Sequence, residues 1–329
     1  MSKQFIAQIP VRQLISDLAG QNYWFNGCMD FLMECLGENQ AYDYWFFSGI
    51  TGDSFTQMYS KNPKNMVLCY SHNNTDIAVK KAFDACGYQY DYYVGINNKA
   101  EKEALDLRIK KYIDKSIPVI ARVNDAFHSF AVICGYDDSG LYYVLGEDKT
   151  PKQYIYDELI FVTDKKSRPS LADAYRKAVM DIPSLITMPE TNLYSYGQKA
   201  FIDWATSFQN GTYDNIPVDD RIWYTHEYPA FTCWNMHGTY LCILGTNACA
   251  ADFLRHALEL NPNMKFINKL IPLYEKQNGK GFHELMEMEG GFNLKPQTLK
   301  DKTKMNPVSR KISEIAQCSG DILEVFRTL

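Results

Sequence analysis

Two neighbouring stretches of strand-forming residues constrain the fold of this chain more than any other feature. Ser129–Tyr136 and Leu141–Leu145 are apolar and rich in β-branched and aromatic side chains. Between them stand two aspartates, a serine and a glycine, which are the polar turn formers and the φ-tolerant residue of a tight hairpin. The sequence therefore predicts an antiparallel hairpin here and favours a mainly antiparallel sheet.

Strand and helix signals alternate around this hairpin, whereas helix signals dominate the second half of the chain. Strands are predicted at Met66–Tyr70, Tyr88–Val94, Ile117–Val123 and Tyr154–Thr163, and helices at Thr75–Cys86, Ala100–Tyr112, Gly238–Leu260, 267–274 and 306–328. The polar stretch Lys165–Pro169 interrupts the pattern. We therefore predict an α+β protein, with a catalytic-type domain over residues 1–166 and an all-helical domain over residues 167–329.

Composition excludes several classes of function. The 329 residues carry a formal net charge of -5, and no cluster of Lys and Arg forms a phosphate-binding stripe, so nucleic acid is not an expected partner. No stretch approaches the ~18 apolar residues of a membrane span, and the N-terminus lacks the apolar core of a signal peptide. The nine cysteines follow no paired spacing, so we expect reduced thiols and a cytoplasmic protein.

Neither a cofactor nor a metal is expected. No glycine-rich loop of the nucleotide-binding kinds is present. His226, Cys233, His237 and Cys242 lie close in sequence, but structural zinc sites have more tightly paired ligands. The aromatic residues around these four favour core packing instead.

Cys28 is the candidate nucleophile. It follows Gly27 at what the sequence predicts to be the first turn of a helix that ends at Gly37. Amide groups at a helix N-terminus stabilise a thiolate and lower the pKa of the cysteine. We expect Gly27 to keep the approach to the thiol open. The alternative is a buried structural cysteine, because cysteine is among the most buried residue types.

His128 and Asp148 complete a candidate triad. His128 directly precedes the first strand of the hairpin, and Asp148 follows the second strand. With a two-residue loop at 138–139, His128 faces Lys149, and a single bulge in the first strand brings Asp148 opposite instead. Glu147 competes for the role of the acid. The order of nucleophile, base and acid suits a cysteine enzyme, although His128 alone is equally well explained as a surface residue.

An oxyanion site needs the backbone N–H of Cys28 and a side-chain amide. Three upstream amides qualify, namely Gln21, Asn22 and Asn26, of which Asn22 and Gln21 are the preferred candidates. The glycine-containing loop at residues 48–55 adds three pocket candidates, which are Gly49, Gly52 and Ser54.

These motifs resemble a bacterial papain-like superfamily. The resemblance lies in Cys28, Gly37-Glu38, the Ser48-Gly49-x-x-Gly52-x-x-Phe55 loop, Ile117–Ile120, and His128 running into Gly135-Tyr136-Asp137. The superfamily contains the butirosin-biosynthesis H-type acyltransferases and, more distantly, the bacteriocin leader peptidases. The motifs span about residues 20–165, and the helical second half is similar in kind to that of the H-type proteins.

The resemblance implies a papain-like domain in which Cys28 is the nucleophile, His128 the base and Asp148 the orienting acid. The implied reaction is acyl transfer, or hydrolysis of an amide or thioester, on a small-molecule or acyl-carrier-bound substrate. His128 stands one residue further from Gly135 than is usual in the family. Asn22 or Gln21 would take the place of the usual upstream glutamine, and no Asp-Pro pair follows the last strand.

Two other hypotheses use the same stretch of sequence. Residues 52–56 resemble the nucleophile block of the GDSL-type serine esterases, with Ser54 as nucleophile, residues 95–98 as oxyanion block and residues 125–128 as acid–base block. Only 73 residues separate Ser54 from His128, room for roughly two βαβ units, and this enzyme class needs a larger doubly wound sheet. The second hypothesis is a papain-like binding protein without catalysis, whose helical half provides an acceptor pocket, a scaffold or a homodimer surface.

Overall fold

The computed structural model describes residues 4–6, 12–16, 19–61, 69–96, 98–124, 129–214, 244, 249–288 and 296–329. It confirms the α+β class, because helices and an antiparallel sheet share one chain. The chain forms two compact units. The first comprises Met1–Thr51 and Asp76–Leu171, and the second comprises Gly52–Thr75 and Ala172–Leu329.

Eight strands and twelve α-helices are numbered here along the described chain. The strands are β1 (Gln4–Phe5), β2 (Met58–Ser60), β3 (Tyr88–Val94), β4 (Val119–Val123), β5 (Phe130–Asp137), β6 (Gly140–Leu145), β7 (Tyr156–Lys165) and β8 (Tyr194–Tyr196). The helices are α1 (Trp24–Cys35), α2 (Tyr44–Thr51), α3 (Tyr70–Asn73), α4 (Thr75–Cys86), α5 (Lys99–Ile113), α6 (Leu171–Ile186), α7 (Gly197–Ser207), α8 (Ala250–Leu260), α9 (Ile267–Tyr274), α10 (Gly281–Glu287), α11 (Pro296–Lys300) and α12 (Lys302–Arg327).

The first unit is built on a sheet of six strands. The strand order is β1-β5-β4-β7-β3, with β6 also paired to β5, and every pair among these described strands is antiparallel. The apolar residues of β4 and β5 are buried, as expected of strands in the middle of a sheet. Helix α1 packs on this sheet through its buried face, with the rings of Phe25 and Phe130 5.2 Å apart.

The predicted hairpin is confirmed, and its first strand contains a bulge. At the turn Asp137 pairs with Gly140, and at the far end Ala131 pairs with Leu145. The register shifts by one residue between Ile133 and Gly135. Gly135 accounts for the location of the bulge, since a Cβ at this position would lie 2.3 Å from the ring of Phe5. Glycine within a strand marks such bulges and close approaches.

The second unit is not all-helical, which corrects the sequence prediction. Strands β2 and β8 form a two-stranded antiparallel sheet, and β8 lies within residues 167–329. The segment Gly52–Thr75 groups with this unit, whereas the division after residue 166 assigned it to the first domain. Within the unit the ring of Phe55 lies 5.6 Å from Phe253 and 5.4 Å from Tyr274. These contacts join segments far apart in sequence, which local patterns do not reveal.

Several predicted element boundaries change. Helix α1 begins at Trp24, earlier than predicted, and Tyr70 begins helix α3 and does not end a strand. The rest of the strand predicted at Met66–Tyr70 lies largely outside the described residues, as does the start of the helix predicted at Gly238–Leu260. The two last predicted helices are confirmed as α9 and α12.

We predict that Gly135→Ala lowers the free energy of unfolding by about 1–3 kcal/mol, because the new methyl group would overlap the ring of Phe5 and the carbonyl oxygen of Gln4. Urea denaturation measures the loss. Gly279→Ala is the matched control, since its Cβ would meet nothing within 4 Å. Equal stability of both variants would contradict the packing at the bulge.

Candidate functional site

Cys28 lies deeper in helix α1 than the sequence predicted. The helix begins at Trp24, so Cys28 belongs to its second turn and not to its first. The field of the helix dipole falls off within the first turn. The side chain is 0% exposed, and burial raises the pKa of the Cys28 thiol well above its ordinary value. In this environment the described residues do not activate the thiol, and a thiolate requires a partner cation.

Gly27 has a different role from the one expected of it. A Cβ at this position would lie 1.9 Å from the carbonyl oxygen of Leu14. Glycine therefore allows the segment around Leu14 to lie directly on helix α1, which closes this face of the helix. The expectation that Gly27 keeps an open approach to Cys28 is wrong for this face.

The segment that covers Gly27 is fixed at two further points. Arg12 donates to Glu34 at 2.6 Å and lies 3.0 Å from Asp30, both on helix α1. The backbone N–H of Leu14 donates to the carbonyl of Gly146 at 2.9 Å. Sequence reasoning missed Arg12, although Asp30 and Glu34, four residues apart on one helix face, indicated a cationic partner. Residues 12–16 are therefore held between α1 and the loop after β6.

Three elements converge at the end of the sheet where β5 begins. Phe25, in the first turn of α1, contacts Phe130, the first residue of β5. Ala131 of β5 pairs with Leu145, the last residue of β6. The next residue, Gly146, adopts φ +57, and a Cβ there would lie 3.5 Å from Nε1 of Trp24. The start of α1 thus lies beside the end of β6, from which the chain continues to Asp148.

His128 lies outside the described residues, together with residues 125–127. The described residues on either side of it belong to the same end of the sheet. Asn124 follows strand β4, and the N–H of Val123 donates to the carbonyl of Ser129 at 2.9 Å. The chain that contains His128 therefore connects β4 with β5.

Asp148 is partly exposed and engaged with its own loop. Its carboxylate pairs with Lys152 and accepts a hydrogen bond from the N–H of Thr150 at 3.1 Å. These two interactions, with Lys152 the larger, lower the pKa of the carboxyl group. Asp148 is therefore ionised at neutral pH, as an orienting acid must be. The competing Glu147 is more exposed than Asp148.

The three upstream amide residues differ in their burial and in the hydrogen bonds that they already form. Asn26 is fully buried and accepts a hydrogen bond from the Thr51 hydroxyl at 3.2 Å, which ties α1 to α2. The backbone of Gln21 forms two hydrogen bonds with Ser16. Asn22 is partly buried and lies two residues before the start of helix α1. Asn22 and Gln21 therefore remain the oxyanion candidates, whereas Asn26 has a structural role.

The three pocket candidates of residues 48–55 occupy packed positions. Gly49 is buried within α2 of the first unit, and Ser54 is buried in the second unit. Gly52 has φ +99, and a Cβ there would lie 3.1 Å from the side chain of Leu185. Next to it, Asp53 accepts a hydrogen bond from the N–H of Ser71 at 2.8 Å. The positive φ and the close packing account for Gly52 without a ligand.

The described part of the chain contains neither a cluster of metal ligands nor a membrane-spanning helix. Among the described residues, no group of three or more His, Cys, Asp or Glu side chains is arranged to hold a metal ion. His226, Cys233, His237 and Cys242 lie outside those residues. No helix in the described ranges is both long and apolar enough to cross a bilayer.

No family model matches the chain, and no curated protein matches it significantly.

We predict that Gly27→Ala destabilises the protein by about 1–3 kcal/mol, because its methyl group would overlap the Leu14 carbonyl. If this face of α1 were open, Gly27→Ala would instead stabilise the protein, since alanine is more favourable than glycine inside a helix by up to about 1 kcal/mol. Thermal and urea denaturation show whether the substitution destabilises or stabilises the protein. Gly320→Ala in α12 is the control, because its Cβ would have only ordinary contacts at 3.4 Å.

Proposed function

We propose that the first unit is a papain-like cysteine enzyme that performs acyl transfer, or amide or thioester hydrolysis. In this proposal Cys28 is the nucleophile, His128 the base and Asp148 the orienting acid. The substrate is a small molecule or a group bound to an acyl carrier protein. The observation that carries the proposal is the register shift in strand β5 between Ile133 and Gly135.

The register shift supports the assignment of His128 as the base. His128 stands one residue further from Gly135 than in the family that the sequence resembles, and a bulge absorbs one residue. The observed shift falls within that interval. Below it the pairs run from Ile133 with Tyr143 to Ala131 with Leu145. Asp148 lies in the turn that follows, where its N–H donates to the carbonyl of Leu145 at 3.2 Å.

The packing of α1 also favours this proposal. Papain-like enzymes hold the cysteine on a helix that packs against an antiparallel sheet, near the start of the strand that follows the histidine. Here the ring contact between Phe25 and Phe130 brings the first turn of α1 to the start of β5. Gly146 lies beside Trp24, so the loop that leads to Asp148 begins at the same helix end.

The proposed chemistry follows from these roles. His128 accepts the proton of the Cys28 thiol, and the sulfur attacks the acyl carbonyl carbon of the donor. The C–N or C–S bond to the leaving group breaks, and His128 returns the proton to the departing amine or thiol. An amine or water, deprotonated by His128, then attacks the Cys28 thioester. This step releases the acyl product and restores the thiol. Asp148 would orient the imidazole throughout.

The burial of Cys28 favours a second candidate function, a papain-like binding protein without catalysis. A thiol that is 0% exposed and whose pKa is raised by burial is typical of a structural cysteine. The two functions differ in one property, namely whether an imidazole offsets the cost of burying the thiolate. The serine-esterase hypothesis is less favoured, since the described sheet is antiparallel and that enzyme class needs a parallel one.

We predict that the alkylation rate of Cys28 by iodoacetamide has a midpoint well below pH ~8.5 in the wild type. In His128→Ala the midpoint should rise by one pH unit or more, because only desolvation then acts on the thiol. Peptide mapping resolves Cys28 from the other thiols.

Cys86 is the internal control for this measurement. It is fully buried, and burial raises its pKa to about 12, so it should react slowly in both proteins. If Cys28 reacts as slowly as Cys86 whether or not His128 is present, the cysteine enzyme is excluded and the binding protein is favoured.

A further inference from the structure

The helix that begins with α9 changes its geometry before it reaches α10. Residues Glu275–Lys280 form a π-helical segment between the two α-helices. Six residues of π-helix are unusual, because the wider turn has poorer hydrogen-bond geometry, and such segments are frequent at functional sites. This segment is therefore a candidate border of a ligand site.

A pocket of about 360 Å³ lies between this π-helical segment, α10 and α12. Its walls include Lys276, Lys280, Glu284, Lys311, Ile315 and Cys318, all in the second unit. This volume falls within the range of small-molecule sites in proteins. The pocket involves none of the residues proposed for acyl transfer, so the inference does not rest on the proposed function.

The pocket walls are held in place by direct contacts between the helices. Gln277, buried in the π-helical segment, donates to the hydroxyl of Ser319 on α12 at 2.8 Å. Gly281 allows α10 to approach α12 closely, since a Cβ there would lie 2.9 Å from Cδ1 of Ile315. A ligand would therefore enter a site that needs little rearrangement, which lowers the entropic cost of binding.

Two of the three lysines in the pocket wall lie close to glutamates, which leaves the third to pair with a bound anion. Lys311 pairs with Glu284 and lies 3.4 Å from Glu314, and Lys280 lies 3.7 Å from Glu284. Lys276 has no ion-pair partner within the described part of the chain. Lys276 shares the pocket wall with Cys318 of α12. Its charge lowers the pKa of the Cys318 thiol, although burial has the larger effect and raises that pKa. The pocket thus combines one uncompensated positive charge with the aliphatic surface of Ile315.

We propose that this pocket binds a small aliphatic carboxylate, whose anionic group pairs with Lys276 and whose hydrocarbon chain lies on Ile315. A monoanion matches the pocket better than a doubly charged phosphate, since glutamates already balance Lys280 and Lys311. The apolar wall around Ile315 and Gly281 provides the contact that distinguishes an aliphatic acid from an inorganic anion.

Isothermal titration of the full-length protein with hexanoate tests the proposal, with hexanol and hexyl phosphate as comparison ligands. Hexanoate should bind more tightly than either. Lys276→Gln should weaken hexanoate binding by about fivefold or more, since it removes a charge-assisted contact. Lys269→Gln is the matched control, because Lys269 is exposed on α9 and does not line the pocket.

The methyl resonances of isoleucine locate the bound hexanoate. The Cδ1 signal of Ile315 should shift during the titration, while those of Ile312 and Ile322, buried elsewhere on α12, should move less. Three results would each overturn the proposal. These are no hexanoate binding, equal binding by the Lys276→Gln and Lys269→Gln variants, and tighter binding of hexyl phosphate.

Discussion

The packing of helix α1 against the start of strand β5 is the contact on which the candidate site depends. The rings of Phe25 and Phe130 meet there, and Leu14 closes over Gly27 on another face of the helix. Burial of these apolar groups is the main force that holds the helix on the sheet. The same packing that positions Cys28 also removes it from water. The position and the burial of Cys28 are therefore two consequences of one interface. As a nucleophile, Cys28 would need a nearby cation to offset the cost of burying its thiolate.

The bulge in β5 links the fold to the proposed chemistry. Phe5 lies over Gly135, where no side chain would fit, and the register changes between Ile133 and Gly135. The bulge adds one residue to β5, which equals the one-residue difference in the spacing from His128 to Gly135. A local packing feature of the strand thereby bears on the assignment of the proposed base.

Local sequence signals predicted much of this fold. The hairpin and helices α4, α5, α9 and α12 follow from turn residues and apolar spacing. The start of α1 was missed because Tyr23 is not one of the Ser, Thr, Asp or Asn residues that mark helix N-termini. The pairing of β2 with β8 and the cover of Leu14 on Gly27 were missed because they join distant segments. The burial of Cys28 was the alternative that the general burial of cysteine indicated, and the packing of distant segments on α1 decides it.

Acyl-enzyme trapping tests the central claim most directly. Wild type, Cys28→Ala and His128→Ala would be incubated with a panel of short-chain acyl thioesters, quenched in acid and analysed by intact mass and peptide mapping. The cysteine enzyme predicts a single acyl adduct on Cys28 in the wild type, absent from Cys28→Ala and strongly reduced in His128→Ala. No adduct on Cys28, or an adduct that forms equally well without His128, would contradict it.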